Sequence, residues 1–375
     1  MSINRPVMRE ALAVARRHAS PRRIATLTGF GLGLLLVRGI VALAQAIDDL
    51  LWPEIRRQRV VQPVFLCANA RSGTTFLHRL LSLDDEHFAS FKLYQSIFPA
   101  VCIQRTVDGL ARLDRRRLGG ALQRAVRWFN ATCFRSWDDI HEMGIDRAEE
   151  DEAFFALSFN SPALSLLLPW VDELPASRWF DRFEPLQRER FLDWYEGGLR
   201  RRLYAAGGDR TFLNKSALFA SRIRSIYARF PDAHFVYLIR HPYESIPSFL
   251  NMFHAKWATH SPEIAKDSPE SRALARLAMD YLRYALHCRE FIPAEQFLVI
   301  RYEELTGEPR ATVEQIYTWL GVEIDDRCRQ ALEADLATQS DFESQHAYQL
   351  AEFGLSRAEI YAELKDVFEE FGFEA

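Results

Sequence analysis

The chain has 375 residues, of which 48% are hydrophobic and 26% are charged, proportions typical of a globular protein rather than a disordered one. Its 47 basic and 51 acidic side chains give a net charge of -4 at pH 7. This balance excludes the overall positive charge on which nucleic-acid-binding proteins usually depend. We therefore expect no nucleic-acid partner, and we expect any anion-binding site to be local.

The cysteines are scattered, with neither a C-x-x-C pair nor the dense spacing of a secreted disulfide scaffold. This pattern favours a cytoplasmic protein and gives no structural zinc site. The nearest cluster of metal-ligating side chains is His254 with His260, in a stretch that we interpret as a loop, and we expect no metal. The five cysteines are Cys67, Cys102, Cys133, Cys288 and Cys328.

The N-terminal segment joins a basic stretch to residues 24–47, in which Arg38 is the one charged side chain. At about 1.5 Å per residue, such a helix is long enough to cross a bilayer. Three interpretations remain open: a helix lying in the cytoplasmic membrane surface, a true membrane span, or a helix packed on the rest of the protein. We expect no cleaved signal peptide. We divide the chain into this helical segment, residues 1–55, and a main domain, residues 56–375.

Short apolar stretches alternate with helical patterns along the main domain. Such alternation indicates an α/β fold with a mostly parallel sheet. Residues 100–230 are predicted to be largely helical, with breaks at glycine and proline. The predicted strands are residues 64–70, 233–239 and 296–300. Helices are predicted over residues 271–291, before the third strand, and over residues 309–320, after it.

The segment Arg71-Ser72-Gly73-Thr74-Thr75 lies between the first predicted strand and a helical pattern. A loop at a helix N-terminus presents unpaired backbone N–H groups and the positive end of the helix dipole, so it attracts phosphate or sulfate. Gly73 allows close approach of the backbone, and Arg71 adds a forked cation. The spacing lacks the first glycine and the lysine of the Walker pattern, which argues against a nucleoside triphosphatase.

Together with Phe76 and Leu77, this segment resembles the 5′-phosphosulfate loop of sulfotransferases that use 3′-phosphoadenosine 5′-phosphosulfate (PAPS), which reads Pro-Lys/Arg-Ser/Thr-Gly-Thr-Thr. A second segment, Phe230 to Arg240 followed by Ser248, is similar to the 3′-phosphate motif of that family. An arginine at a strand end and a serine on the following helical turns can converge on one phosphate. The resemblance implies nucleotide binding by Arg71, Ser72, Gly73, Thr74, Thr75, Phe76, Arg240 and Ser248.

Further similarity extends from about residue 60 to the C-terminus and points to the membrane-linked bacterial-type branch of the family. It includes residues 298–305, 319–322 and 344–355. The resemblance implies a P-loop-like, mostly parallel sheet flanked by helices, with a largely helical acceptor-binding insertion and an N-terminal apolar helix. It also implies PAPS as co-substrate without a metal. The apolar segment of residues 24–47 leads us to expect a small-molecule or lipid acceptor and a peripheral or monotopic place on the cytoplasmic membrane face.

Lys215 resembles the family lysine that precedes the 3′-phosphate arginine. Sulfuryl transfer moves a group between two oxygens through a loose transition state, so positioning and charge stabilisation dominate. Negative charge grows on the leaving 5′-phosphate, and Lys215 would stabilise it together with Arg71.

The general base is not where the family places it. Soluble relatives have a histidine shortly after the lysine, where this chain has Ala217, and other branches have a glutamate in the window that reads here as residues 91–95. The remaining candidates are His141 and the run Glu149-Glu150-Asp151-Glu152.

If that acidic run is helical, Glu149 and Glu152 share a face and Glu150 points elsewhere. We favour Glu150 or Glu152 as the base, followed by His141. The alternative interpretation is a solvated acidic run that interacts favourably with a helix dipole.

Three functions compete at this point. The first is a sulfotransferase acting on a hydroxyl or amine of an unidentified, lipophilic acceptor. The second is a non-catalytic module that keeps the nucleotide pocket, which the missing base at the family positions favours. The third is a nucleotide-dependent kinase, which the absence of the Walker lysine disfavours.

Overall fold

The computed structural model describes residues 3–69, 71–133, 144–337 and 349–375. At its centre is a sheet of five parallel strands. The strands are β1 (Val64–Ala68), β2 (Phe88–Ala89), β3 (Thr211–Ser216), β4 (His234–Ile239) and β5 (Phe297–Arg301). Their order across the sheet is β2-β3-β1-β4-β5, so the two outer pairs flank β1 at the centre.

The predicted α/β fold is confirmed, and β1, β4 and β5 match the three predicted strands closely. β3 lies inside the region predicted to be largely helical, so that prediction is wrong for this stretch. Its last three residues, Asn214, Lys215 and Ser216, are polar and yet buried. They interrupt the apolar pattern by which a buried strand is recognised.

Helices cover both faces of the sheet. Phe65 and Cys67 of β1 face one core together with Phe235, while Leu66 faces a second core with Leu213. This follows from the alternation of side chains along each strand. The helices of the main domain are α3 (Thr74–Leu81), α4 (Leu93–Ile97), α5 (Val101–Leu113), α6 (Ala121–Cys133), α7 (Glu152–Ala156), α8 (Pro175–Arg178), α9 (Pro185–Ala205), α10 (Ile223–Arg229), α11 (Pro242–His260), α12 (Pro269–His287), α13 (Tyr302–Gly307), α14 (Pro309–Leu320), α15 (Asp326–Ala337) and α16 (Arg357–Phe371).

Two helices precede the sheet, α1 (Arg5–Arg17) and α2 (Pro21–Leu51). Each begins with a side-chain cap and an early proline, because Asn4 accepts from the Val7 N–H and Ser20 accepts from the Arg23 N–H. α1 packs its buried face against residues 164–174. Within the described ranges, α2 alone is long and apolar enough to cross a membrane, judged by length and composition.

α5 and α6 are joined by a single π-helical turn, Asp114–Leu118. The Asp114 carboxylate accepts from the backbone N–H groups of Leu122 and Gln123, each at 3.0 Å, and so caps α6. We call residues 101–133, from the start of α5 to the end of α6, the arm. α5 packs against α2.

Candidate active site

The loop after β1 turns tightly into α3. Arg71 and Gly73 have left-handed backbone conformations, with φ of 70° and 86°. A Cβ atom on Gly73 would lie 3.0 Å from Cδ2 of Leu305 and 3.2 Å from Cδ2 of Tyr302. Only glycine meets both the conformational and the steric requirement. The turn thus presents the N-terminus of α3, with its positive dipole end, at the carboxyl edge of the sheet.

Arg240 follows β4, the strand beside β1, and reaches the same loop. Its Nη1 donates to the backbone oxygen of Arg71 at 2.8 Å, and Nη2 pairs with Glu244 at 2.7 Å. The guanidinium lies 4.3 Å from the centre of the Tyr302 ring, within the range of a cation–π contact. The structure therefore brings Arg71 and Arg240, two candidate nucleotide-binding residues of the sequence analysis, into direct contact.

Ser248 lies on α11, which begins directly after the loop that carries Arg240. Its side chain is buried. Ser72 and Thr74 are also buried at the start of α3, and Phe76 packs at the edge of the core between α3 and the sheet. The part these four residues play in binding a nucleotide stays a prediction.

Lys215 lies on β3, and its register partner on β1 is Leu66. Its Nζ donates to Oγ1 of Thr75 at 3.1 Å and lies 3.3 Å from Oε1 of Glu150. Oε2 of Glu149 is 3.7 Å from the same atom. The ammonium group therefore links the start of α3 to the acidic run, two regions far apart in the sequence.

The acidic run is not one helical turn, since α7 begins only at Glu152. The prediction that Glu149 and Glu152 share a helical face is therefore wrong. Glu149 and Glu150 belong to an extended segment held by residues 91–94: the Glu149 N–H donates to the Phe91 oxygen at 2.8 Å, and Ala148 bridges to Lys92. This window is the one in which the family glutamate was sought and not found.

Successive side chains of β3 point to opposite faces of the sheet, which explains why the four acidic residues 149–152 have different partners. Lys215 contacts Glu149 and Glu150, whereas its neighbours on the strand contact the other two acidic residues. Asn214 accepts from the Asp151 N–H at 3.1 Å, and the Ser216 hydroxyl donates to Glu152 at 3.1 Å.

Asp151 and Glu152 form a buried ion-pair network with Arg222, a residue that sequence reasoning missed. Each carboxylate lies 2.9 Å from the guanidinium, and the Tyr195 hydroxyl donates to Asp151 at 2.5 Å. Burial alone would lower the pKa of Arg222, but the carboxylates of Glu152 and Asp151 raise it above its ordinary value. Burial raises the pKa of Asp151, an effect that Arg222 partly offsets. Glu152 is thus an ion-pair partner that fixes the segment carrying Glu150.

His141 lies outside the described residues, as do residues 344–348 of the C-terminal similarity. The prediction of a loop around His254 and His260 is wrong, because both residues lie in α11. Nε2 of His254 is 2.7 Å from the Ser271 hydroxyl, and Nε2 of His260 is 2.9 Å from the Leu166 oxygen. In the described part of the chain, no group of three or more histidine, cysteine or acidic residues is arranged to hold a metal ion.

Tyr302 was also missed as a site residue. Its ring contacts the Arg240 guanidinium and lies next to Gly73. A signal was present, because Tyr302 follows the third predicted strand, and the ends of parallel strands meet at one edge of the sheet. Arg222 carried no comparable signal, since it lies in a short helical stretch without a motif.

Comparisons with known proteins agree with this geometry. The profile of the Sulfotransferase family matches residues 63–326. Omega-hydroxy-beta-dihydromenaquinone-9 sulfotransferase Stf3 of Mycobacterium tuberculosis is 23% identical over 301 residues, which cover 77% of this chain and 70% of the relative. The counterpart from Mycobacterium bovis matches equally well.

Solved structures show the same fold. Sulfotransferase STF9 from Mycobacterium avium superposes with a TM-score of 0.72 at 19% identity, covering 88% of this chain and 82% of its own. Sulfotransferase STF1 from Mycobacterium tuberculosis gives a TM-score of 0.71 at 20% identity, covering 96% and 92%. Since the family profile spans most of the chain, including both strand-end loops and Lys215, the protein belongs to the sulfotransferase family and is an enzyme of sulfuryl transfer.

Proposed function

We propose that this enzyme transfers the sulfuryl group of PAPS to a hydroxyl group of a lipophilic acceptor. The observation that carries the proposal is the convergence of Thr75, Lys215 and Glu150 beside the N-terminus of α3. A hydroxylated lipophilic acceptor is supported by the mycobacterial relative, whose name specifies an omega-hydroxy menaquinone as its substrate.

The residues present fit the donor. The tight turn at Gly73 and the first turn of α3 would hold the 5′-phosphosulfate, with Arg71, Ser72, Thr74 and Thr75 around it. Arg240 and Ser248 would hold the 3′-phosphate, and Phe76 would line the loop. Arg240 already lies against the backbone of Arg71, so both ends of one nucleotide are within reach of adjacent loops.

Lys215 would act on the leaving group. Its Nζ is 3.1 Å from the Thr75 hydroxyl, at the site proposed for the 5′-phosphosulfate. As the sulfur–oxygen bond breaks, charge develops on the 5′-phosphate oxygen, and a buried, pre-positioned ammonium stabilises that charge strongly. The side chain of Lys215 is 1% exposed, which limits competing water.

Glu150 would act as the general base that takes the proton from the acceptor hydroxyl. Its side chain is 24% exposed, compared with 4% for Glu149, so it is the more accessible of the two carboxylates beside Lys215. The ion pairs of Asp151 and Glu152 with Arg222 hold the neighbouring backbone in place, which would position Glu150.

Titration with 3′-phosphoadenosine 5′-phosphate, the donor product, tests the donor half of the proposal. We expect saturable binding and a raised Tm for the wild type, without any need for magnesium. The Arg240→Ala variant should bind about 10- to 100-fold more weakly, since it loses a charge-assisted contact to phosphate.

Arg276→Ala is the matched control, because Arg276 is a surface arginine on α12 paired with Asp172. It should bind like the wild type. Equal affinity of the Arg240→Ala variant and the wild type, or tight magnesium-dependent binding of ATP in place of the sulfated nucleotide, would contradict the proposal. Transfer of radiolabelled sulfate to hydroxylated lipids and phenols then identifies the acceptor class.

A further inference from the structure

α2 has two different faces. One face is buried against the domain and includes Leu34, Val41, Ala44 and Asp48. The other face exposes large apolar side chains at intervals of three and four residues, the spacing of one helical stripe. The exposed stripe consists of Leu32, Leu36, Ile40, Leu43, Ile47 and Leu50, and Ile24, Leu35 and Leu51 of the same helix are exposed as well.

Both ends of α2 are bonded to the same folded domain. Near its start, Arg23 donates to the Ser261 hydroxyl at 3.2 Å and pairs with Glu263. Near its end, Asp48 accepts from the backbone N–H groups of Val101 and Cys102 at 2.7 and 2.8 Å. A transmembrane helix must place its two ends on opposite sides of a hydrocarbon layer about 30 Å thick. The contacts at both ends of α2 therefore favour a helix that lies along the domain over one that crosses the membrane.

The arm, whose helix α5 packs against α2, exposes apolar side chains of its own. Exposed apolar residues occur along α5, the π-helical turn and α6, and Trp128 is 69% exposed. They again follow helical spacing, so each helix of the arm is amphipathic. The exposed apolar residues of the arm are Val107, Leu110, Leu113, Leu118, Leu122, Trp128 and Phe129.

The charges of the arm are mainly positive. From residue 107 to residue 132 the only acidic side chains are Asp108 and Asp114, and the latter is buried as the cap of α6. Arginines concentrate at the turn between the two helices and flank the apolar residues. These arginines are Arg112, Arg115, Arg116, Arg117, Arg124 and Arg127.

We propose that α2 and the arm together form a surface that binds one leaflet of an anionic phospholipid membrane, with α2 parallel to the membrane plane. Leucine and aromatic side chains bordered by arginine are characteristic of helices that lie at the lipid headgroups. The arginines complement anionic headgroups, and their stems can bury while the charge stays in the headgroup layer. An exposed apolar surface of this extent marks an interaction site.

This surface adds to the proposed function, because a lipophilic acceptor would reach the enzyme from the leaflet. That one point rests on the proposed function. Membrane binding itself rests only on α2 and the arm. α2 is connected to the site region, because Asp48 pairs with Arg201 of α9 at 3.2 Å and Arg202 next to it donates to the Ser90 oxygen at 2.7 Å. Ser90 precedes the segment that holds Glu149.

Co-sedimentation of the full-length protein with vesicles tests the proposal. We expect binding to vesicles of phosphatidylcholine with phosphatidylglycerol, and weaker binding to phosphatidylcholine alone. Arg115→Glu combined with Arg116→Glu should reduce partitioning at least about tenfold, because two positive charges near the anionic surface are replaced by negative ones. Leu36→Gln combined with Leu43→Gln should weaken binding to both kinds of vesicle.

Two matched controls change the same chemistry elsewhere. Arg190→Glu combined with Arg329→Glu gives the same change in net charge outside α2 and the arm. Leu186→Gln replaces an exposed leucine at the end of α9 remote from Arg201. Both controls should bind vesicles like the wild type. A wild type that stays in the supernatant, arm variants that bind unchanged, or controls that lose as much binding as the arm variants would each overturn the proposal.

Two further readouts separate the remaining outcomes. A blue shift of tryptophan emission on vesicle binding should shrink in Trp128→Phe, although this variant still binds. Size-exclusion chromatography without lipid should show no dimer; a dimer that Leu36→Gln makes monomeric would assign the surface to a second copy of the chain and overturn the membrane assignment. Nucleotide titration of the same samples keeps the two proposals apart, because nucleotide binding without vesicle binding refutes only this surface.

Discussion

Lys215 is buried beside the carboxylates of Glu149 and Glu150 and the hydroxyl of Thr75 in α3. Glu149 and Glu150 both pair with this ammonium, at a place that the proposal assigns to an anionic donor. Glu150 is the more exposed of the pair, so it is the one with room to turn towards an acceptor. We expect donor binding to draw Lys215 to the phosphosulfate and to leave Glu150 available as the base.

The Glu150→Gln variant should therefore lose about 10²- to 10⁴-fold in kcat, the usual contribution of general base catalysis. Its affinity for 3′-phosphoadenosine 5′-phosphate should stay within about threefold of the wild type, because the amide keeps the shape of the side chain. Single-turnover transfer of radiolabelled sulfate measures the first value, and titration measures the second.

Glu152→Gln is the informative comparison. It weakens the pairing of the buried Arg222, so we expect a loss of up to about 3 kcal/mol in the free energy of unfolding. The remaining folded enzyme should turn over faster than Glu150→Gln. The opposite order, with Glu150→Gln active and Glu152→Gln folded but inactive, would place the base on Glu152.

At the level of the elements, the strands with continuous apolar runs were predictable from the sequence. β3, the strand that carries Lys215, was not. β1 and β4 end in loops whose residue types suit phosphate, so the sequence already indicated Gly73 and Arg240. β3 buries Asn214, Lys215 and Ser216 against partners elsewhere in the chain. A local hydrophobic pattern cannot reveal a strand whose polar side chains are satisfied by distant residues.

The position of Glu150 could not be predicted for a related reason. The sequence offered an acidic run next to a helical pattern, and we extended the helix over the whole run. In the structure the backbone of Glu149 pairs with Phe91 instead, and a long-range pairing of this kind leaves no periodic signal within four residues. The nature of the side chains was predictable, whereas their direction was not.

α11 gives a prediction for pH. His254 is buried between α11 and α12, and burial, helped by the nearby Lys266, lowers its pKa to about 4. Because the histidine of the unfolded chain has a pKa of about 6.5, the unfolded state binds more protons between these values. The contribution of His254 to the free energy of unfolding should therefore be fully present above about pH 6.5. It should be lost as the pH drops towards 4, a decrease on the order of 2 kcal/mol.

Urea denaturation at a series of pH values measures this dependence. The His254→Gln variant, which keeps a hydrogen-bonding group near Ser271, should show a smaller fall over the same interval. An identical pH profile for the variant and the wild type would show that other groups cause the effect.

For the molecule as a whole, the N-terminal segment is part of the packing and not an appendage. The Asn4 N–H donates to the Ser158 oxygen at 2.9 Å, and α1 shares a buried cluster with residues 164–174. Asp48 at the end of α2 pairs with Arg201 and caps α5. The division after residue 55 stays a prediction about organisation along the chain, but residues 56–375 have extensive contacts with the part before it.

A chain shortened to residues 56–375 should therefore be much less stable than the full protein. Its Arg201 loses a buried partner, and the first backbone N–H groups of α5 lose their cap, each a cost of about 1–3 kcal/mol. Differential scanning calorimetry should show a Tm lower by more than about 5 °C. An unchanged Tm would mean that the N-terminal helices only rest on the surface.

The alternation of β3 and the backbone pairing of Glu149 with Phe91 have a consequence for how such an enzyme changes during evolution. The proposed donor residues Thr75, Lys215 and Arg240 are tied to the sheet, whereas Glu150 belongs to the chain inserted between β2 and β3. Insertions, deletions and exchanges of side chains in that stretch can reshape the acceptor side and leave the nucleotide contacts intact. Divergence in acceptor choice among descendants of one ancestor would then require no redesign of the step that activates sulfate.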